Sequence, residues 1–272
     1  VVVLVPAFID VALVVLKPIE QRFARKYVLQ AAETLERVNP IRVAVTGSYG
    51  KTTIKGYVRH LLSETRSVVA SPASFNNSAG LSRAVNEHLN DGTEIFVAEM
   101  GTYGPGEIAE LVSWVKPSIS VLSAIGPVHL ERFGDLDTVV ASKSEIFSTS
   151  RTAVINVDAY GLTAEADRLH ASGIDVLRCS AKDSTADIFV TAEDGLTVTV
   201  SNRLIVAGVP SDAAPTNVAC AVAVATALDV PDATIARRLT DLPTADHRRQ
   251  VLLSQSGVTI VDDTYNSNPA GA

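Results

Sequence analysis

From residue 41 onward the apolar positions follow two alternating patterns. Short runs that are apolar almost throughout, "IRVAVT", "SVVA", "EIFVAE", "SISVLS" and "TAVINV", are separated by longer stretches. In most of those stretches apolar residues recur every three to four positions, over 51–63, 77–90, 105–115 and 135–148. A continuous apolar run suits a strand covered on both faces of a parallel sheet, and the longer pattern suits an amphipathic helix. Run and helix in alternation are βαβ units, so the chain is predicted to be α/β, with a mainly parallel sheet flanked by helices. Such a sheet presents ligands at the carboxyl ends of its strands, which directs attention to the residues just after each run.

The pattern changes over 174–207. "GIDVLRCS", "ADIFVTAEDGLTVTV" and "NRLIVAG" predict short strands joined by polar turns, a hairpin-rich patch, before helices at 213–228 and 231–240. "DLPTADHRRQ" has the composition of a linker, and "VLLSQSGVTIVDDTYNSNP" predicts a strand pair ending in a polar loop, the start of a further domain. The expected division is 1–40 as an apolar and basic helical segment, 41–244 as a central domain, and 245–272 as the beginning of a C-terminal domain. Because the chain opens on Val1 and stops just after a strand, it is taken as a piece of a longer protein. "VVVLVPAFIDVALVVL" is strongly apolar but carries Pro6 and Asp10. It is shorter than the roughly 20 residues a spanning helix needs. Lys17, Arg22, Arg25 and Lys26 follow it, as on a cytoplasmic flank. Two readings stay open: the end of a membrane segment, with association through residues 1–26, or a buried or interfacial helix.

Composition narrows the function. Apolar residues make up 47% and charged residues 19% of the 272, which suits a folded chain, and a net charge of −7 gives no broad attraction for nucleic acid. Cys179 and Cys220 are far apart in sequence, form no C-x-x-C, and point to a reducing cytoplasm by default.

The strongest local chemistry is "VAVTGSYGKTTIKG". A standard phosphate loop is G-x-x-x-x-G-K-[ST]. Here the first glycine falls at 47 where that spacing asks for 45, giving T-G-x-x-G-K-T-T over Thr46, Gly47, Ser48, Tyr49, Gly50, Lys51, Thr52 and Thr53. The shorter loop keeps what matters physically: glycines that let the backbone approach an anion, N–H groups at a helix start facing it, a lysine for the terminal phosphates and a hydroxyl for Mg²⁺. Glu99 ends the third run, where a carboxylate can hold Mg²⁺, although an acid at a strand end is more often simply solvated. His129 follows the fourth run, and Lys143, between Ser142 and Ser144, by itself looks like a surface lysine.

"TGSYGKTT", "NNSAG", "AEMGTYGPGEI", "AIGPVHLERFG", "SKSEIF" and "DDTYNSNP" occur in this order. Together they resemble the Mur ligases, ATP-dependent amide-forming enzymes of peptidoglycan synthesis, and within them the MurF branch, which joins D-alanyl-D-alanine to a UDP-sugar tripeptide. The resemblance covers about 41–272. It implies a P-loop central ATP-binding domain followed by a Rossmann-like C-terminal domain. It implies ATP and two Mg²⁺ ions as cofactors. Thr52 and Glu99 would hold the ion on ATP, and His129 and Lys143 would serve the second, with Lys143 carbamylated by CO₂. It also places Asn217 near the adenine, Arg248 at the interdomain hinge, Asp263 near the ribose, and Asn76 and Asn77 near the sugar-peptide substrate. Lys51, His129 and Lys143 become the catalytic candidates. A UDP-sugar-peptide carboxylate and an amino acid or dipeptide amine become the substrates of an expected cytoplasmic monomer, with the inner face of the plasma membrane as a second expected place of work.

The chain departs from that pattern in three places. Residues 1–40 stand where the family places a UDP-sugar-binding domain, the hinge Gly-Arg appears as His247-Arg248, and the third domain stops within its first strands. A chain of this extent is expected to bind nucleotide weakly and to ligate nothing alone. The alternatives are a polyglutamate- or cyanophycin-type ligase with another carboxylate, a nucleotide-binding relative without catalysis, and a P-loop kinase or motor.

Overall fold

Alternation along each strand divides the core. In β1 (Ile41–Thr46), Val43 and Val45 face one side of the sheet and Ala44 the other, and all three are fully buried. A computed structural model describes residues 24–73, 75–128, 130–209 and 211–243, together with the strand backbones of β10 (Gln250–Leu253) and β11 (Thr259–Asp262). Among these residues one nine-stranded sheet forms, in the order β2-β3-β1-β4-β5-β6-β7-β8-β9. Its strands are β2 (Val68–Ala70), β3 (Ile95–Glu99), β4 (Ile119–Leu122), β5 (Thr152–Asn156), β6 (Asp175–Ser180), β7 (Ile188–Thr191), β8 (Leu196–Val200) and β9 (Arg203–Val209). The order is that of the α/β class the runs predict, and every neighbouring pair from β2 to β7 is parallel.

Helices cover both faces. On the face of Val43 and Val45 lie α2 (Lys51–Leu62) and α8 (Pro215–Ala227), with Ile54, Val58, Leu61, Val218 and Val222 fully buried against the strands. On the other lie α1 (24–38), α3 (Ser78–His88), α4 (Glu107–Val115) and α7 (Leu162–Ala171), around Phe96 and Ala98. Helix α1 ends where Asn39 turns left-handed (φ 50°) and returns its N–H to the carbonyl of Leu35 at 2.9 Å, ahead of Pro40. Buried Arg42 on β1 then grips that end, donating to the Leu35 carbonyl at 2.8 Å and to Glu36 Oε1 at 3.2 Å. The apolar run of residues 1–16 lies outside the described residues. Among those described, no helix is long and apolar enough to cross a membrane.

Two expectations are corrected. The hairpin-rich patch holds only for β7, β8 and β9, which are joined antiparallel, with register shifts between Leu196 and Thr199 that mark a bulge. Strand β6 belongs to the parallel sheet beside β5 and is reached through α7, whose core face of Leu162, Ala166 and Leu169 is too sparse to stand out in the sequence. After the single turn of α5 (Leu130–Phe133), the helix expected over 135–148 is α6 (Leu136–Ser144), capped by the Asp135 carboxylate accepting from the Thr138 N–H at 2.7 Å, and it tightens into a 3₁₀ turn over Glu145–Phe147. The pair β10–β11 is antiparallel, as its pattern predicts.

Phe96 is one of the largest fully buried side chains and sits on β3, an interior strand one in from the β2 edge. Phe96→Ala is expected to lower unfolding free energy by about 3–5 kcal/mol, read from the urea midpoint at unchanged slope.

Candidate active site

Strand order locates the site. The connection from β3 to β4 passes over β1, so the chain reverses direction around β1, and a crevice opens at the carboxyl ends of these strands. The loop of residues 46–50 leaves β1 there and runs into α2. A Cβ on Gly47 would lie 2.0 Å from Ser123 Oγ. Gly50, the residue before α2, is left-handed (φ 81°), and a Cβ there would lie 2.5 Å from Asn217 Oδ1. Both glycines of the shortened motif are therefore required, one by contact with the loop after β4 and one by its backbone angle and by α8.

A seam of hydrogen bonds fixes this loop to the segment that follows β4. Ser123 donates its N–H to the Thr46 carbonyl at 3.0 Å and its hydroxyl to the Tyr49 carbonyl at 2.6 Å. The Ser48 N–H reaches the Ala124 carbonyl at 2.8 Å, and the Gly126 N–H reaches Ser48 Oγ at 2.9 Å, with the Tyr49 ring lying over Gly126. Asn156, at the end of β5, donates to the Ser123 carbonyl at 2.6 Å. Lys51 folds back over the loop, its ammonium 2.8 Å from the Gly47 carbonyl.

Glu99 is not solvated: it is 2% exposed at the end of β3. Its Oε2 accepts from the Lys55 ammonium at 3.0 Å and its Oε1 from Asn76 Nδ2 at 3.3 Å. Lys143 is not a surface lysine either, being 3% exposed near the end of α6. Burial, with a smaller push from the positive charge of Lys51, draws its pKa down from 10.5 to about 7. Glu145, two residues on, ties this segment to the start of α4: its two oxygens accept from the N–H groups of Gly106 and Ala109 at 2.8 and 2.9 Å. Asn77 caps α3 through its side-chain Oδ1, which accepts from the Gly80 N–H at 2.9 Å, so that oxygen is committed to the helix.

The structure thus brings Lys51 near Lys143, Asn217 against Gly50, and Asn76 onto Glu99. His129, Arg248 and Asp263, and the rest of the "DDTYNSNP" motif after Asp262, lie outside the described residues. Sequence reasoning missed Ser123, Asn156, Glu145 and Lys55. Only Lys55 carried a local signal, a lysine one helical turn after Lys51 beside the apolar stripe of α2. Among the described residues no three His, Cys, Asp or Glu side chains converge. A dedicated protein cage is therefore not formed by them, but a Mg²⁺ held largely by phosphate oxygens and water needs only one or two protein ligands. A buried carboxylate at the end of the strand beside β1, with Thr52 at the start of α2, fits that demand.

A strand, a glycine-tight loop, a lysine and a helix start at a sheet switch point define a P-loop α/β domain. The chain belongs to the Mur ligase family: the Mur ligase middle domain matches residues 45–225. It is 32% identical over 240 residues to the UDP-N-acetylmuramoyl-tripeptide–D-alanyl-D-alanine ligase of Mycobacterium tuberculosis, covering 84% of this chain and 46% of that protein. The ligase of the same name from Mycobacterium leprae is 32% identical over 249 residues, covering 84% and 48%. Among solved structures, MurF ligase from Thermotoga maritima in complex with ADP superposes with a TM-score of 0.78 at 28% identity, covering 91% of this chain and 58% of that one. MurF from Acinetobacter baumannii, at 24% identity and a TM-score of 0.79, covers 91% and 56% and supports the fold. The chain spans about half the length of the curated relatives it matches.

Gly47→Ala is expected to destabilise the chain by about 1–3 kcal/mol, because Ser123 must move. Gly56→Ala, in the middle of α2 with nothing within 4 Å of the new carbon, is expected to stabilise it by up to about 1 kcal/mol. Urea unfolding of the two variants side by side checks the contrast.

Proposed function

We propose that the chain is the ATP-activating part of a MurF-type ligase, which joins a UDP-sugar-tripeptide carboxylate to the amine of D-alanyl-D-alanine. The observation that carries this reading is the meeting of two lysines at one phosphate loop, Lys51 on the loop and the buried Lys143 close enough to feel its charge. A kinase or motor loop has no evident use for a buried lysine of lowered pKa. The relatives' names, and the ADP in the Thermotoga maritima structure, support the choice of nucleotide and substrates.

The loop N–H groups and the start of α2 bind the nucleotide phosphates, and Lys51 swings from the Gly47 carbonyl onto them. The peptide carboxylate attacks the γ-phosphorus; a P–O bond forms to it and the bond to ADP breaks, giving an acyl phosphate. The amine then attacks the acyl carbon, a C–N bond forms, phosphate leaves and the amine proton departs. The part of this chain in both steps is positioning and charge neutralisation. Thr52 and Glu99 would hold one Mg²⁺ and Lys143, with His129, a second; bound Mg²⁺ would neutralise charge on the phosphate oxygens. Lys143 fits that task once carbamylated. Its amine is substantially neutral near pH 7, CO₂ adds to neutral Nζ with loss of a proton, and the product is an anion that no longer repels Lys51. Asn217 is assigned to the adenine, Arg248 and Asp263 to the rest of the nucleotide, and Asn76 and Asn77 to the sugar-peptide side. We take 41–244 as the ATP-binding domain, 245–272 as the start of the C-terminal one, and the protein as a cytoplasmic monomer, with residues 1–26 the candidate for any contact with the inner face of the membrane.

The test is ADP release by the longest form of the gene product, given ATP, UDP-N-acetylmuramoyl-tripeptide and D-alanyl-D-alanine. Release that depends on both substrates is expected, and Lys51→Ala should lower kcat by roughly 10²–10³. ADP release indifferent to the amine would overturn the ligase reading in favour of a hydrolase or kinase. At fixed dissolved ¹³CO₂, a carbamate NMR signal lost in Lys143→Arg should grow as pH rises through about 7. Without CO₂, the unfolded lysine holds a proton between about 7 and 10.5 that the folded one lacks, so the contribution of this group to stability rises with pH across that window.

A further inference from the structure

Lys55 has no part in the chemistry above, yet it is among the most buried charges of the chain, 5% exposed. Its ammonium donates to Glu99 Oε2 at 3.0 Å and to the Ala73 carbonyl at 2.5 Å. Ala73 has φ 37°, a backbone state that a residue with a Cβ keeps only where its surroundings hold it, and its carbonyl is the one turned to Lys55. From the other side Asn76 donates to Glu99 Oε1, while the Gly101 N–H holds the Asn76 carbonyl at 2.8 Å. Glu99 is therefore both oriented and neutralised before any ligand arrives.

We propose that Lys55 is a positioning residue, the fixed counter-ion of Glu99, which keeps that carboxylate from holding a divalent cation until the phosphates of a nucleotide add their own negative charge. The proposal rests on the reading of Glu99 as a metal-holding residue. A carboxylate with an ammonium at 3.0 Å has given most of its attraction to that ammonium, and a free divalent ion approaching the pair meets the repulsion of the ammonium along with what attraction is left. Nucleotide reverses the balance, because its phosphates occupy Lys51 and supply most of the oxygens the ion needs. The metal thus enters as a nucleotide complex, while Ala73, through Lys55, and Asn76 stay bound to the Glu99 carboxylate in either state.

The experiment is Mn²⁺ titration followed by EPR, on the full chain, with and without a non-hydrolysable ATP analogue. The wild type should bind Mn²⁺ at least about tenfold more tightly with the analogue than without it. Lys55→Met should bind free Mn²⁺ at least about tenfold more tightly than the wild type, adding Glu99→Gln should abolish the gain, and Lys55→Arg should behave as the wild type. Unchanged free-Mn²⁺ affinity in Lys55→Met, or a gain that survives Glu99→Gln, overturns the proposal. Should Lys55→Met not fold, wild-type affinity for Mn²⁺ that is equal with and without the analogue overturns it alone. None of these titrations uses the sugar-peptide or the dipeptide, so failure of ligation would count against the proposed activity and leave this result standing.

Discussion

Everything at the carboxyl edge of this sheet depends on one seam, the hydrogen bonds between the loop after β1 and the segment after β4. Ser123 is its centre, bonding the carbonyls of Thr46 and Tyr49 while its own carbonyl is held by Asn156. A phosphate loop must keep several N–H groups free and aimed at one point, which leaves few of its own polar groups available to hold it in shape. The seam eases this by using the carbonyls of Thr46 and Tyr49, which a phosphate would repel, as points of attachment, and spends one loop N–H, that of Ser48, on the Ala124 carbonyl. The shortened glycine spacing belongs to the same solution, since Gly47 is the residue whose missing side chain lets Ser123 come close.

On either side of that loop the sheet edge carries buried charge of opposite sign. Glu99 is matched by Lys55 within one ion pair, whereas Lys143 is set among groups that leave its charge poorly supported. The first is settled inside the protein and the second is left to be settled by what binds or reacts there. Two buried ionisable groups with such different treatment, a short distance from one phosphate loop, give the site its chemical asymmetry.

Much of the scaffold was legible in the sequence, because strands buried on both faces announce themselves as short apolar runs and Gly47-Ser48-Tyr49-Gly50-Lys51-Thr52 is a local arrangement. What escaped depends on contacts between distant segments. Lys143 and Glu99 could be placed on their elements but not recognised as buried, since a lysine on a helix or an acid at a strand end has no local mark of burial. Ser123, Asn156 and Glu145 act on backbone groups 33 to 77 residues away or on a helix start, and nothing in their immediate neighbours distinguishes them. Helix α7 was missed for the opposite reason, as alanine supplies part of its core face and gives a weak period. Without it β6 looked like part of a hairpin rather than the end of a βαβ unit.

The bulged antiparallel strands at the far side of the sheet bear on the life of the protein in a crowded solution. An open sheet has two edges, and an exposed edge strand is a template on which another chain can add and start aggregation. Here one edge, β2, is only three residues long. The other, β9, is distorted by the bulge against β8, and α9 (Asp232–Arg238) is tethered to it by the Arg203–Asp232 ion pair at 2.8 Å. A sheet this wide, built mostly of slow-forming parallel pairs, is thereby guarded against foreign strands at both ends while the carboxyl edge of its strands keeps its phosphate loop.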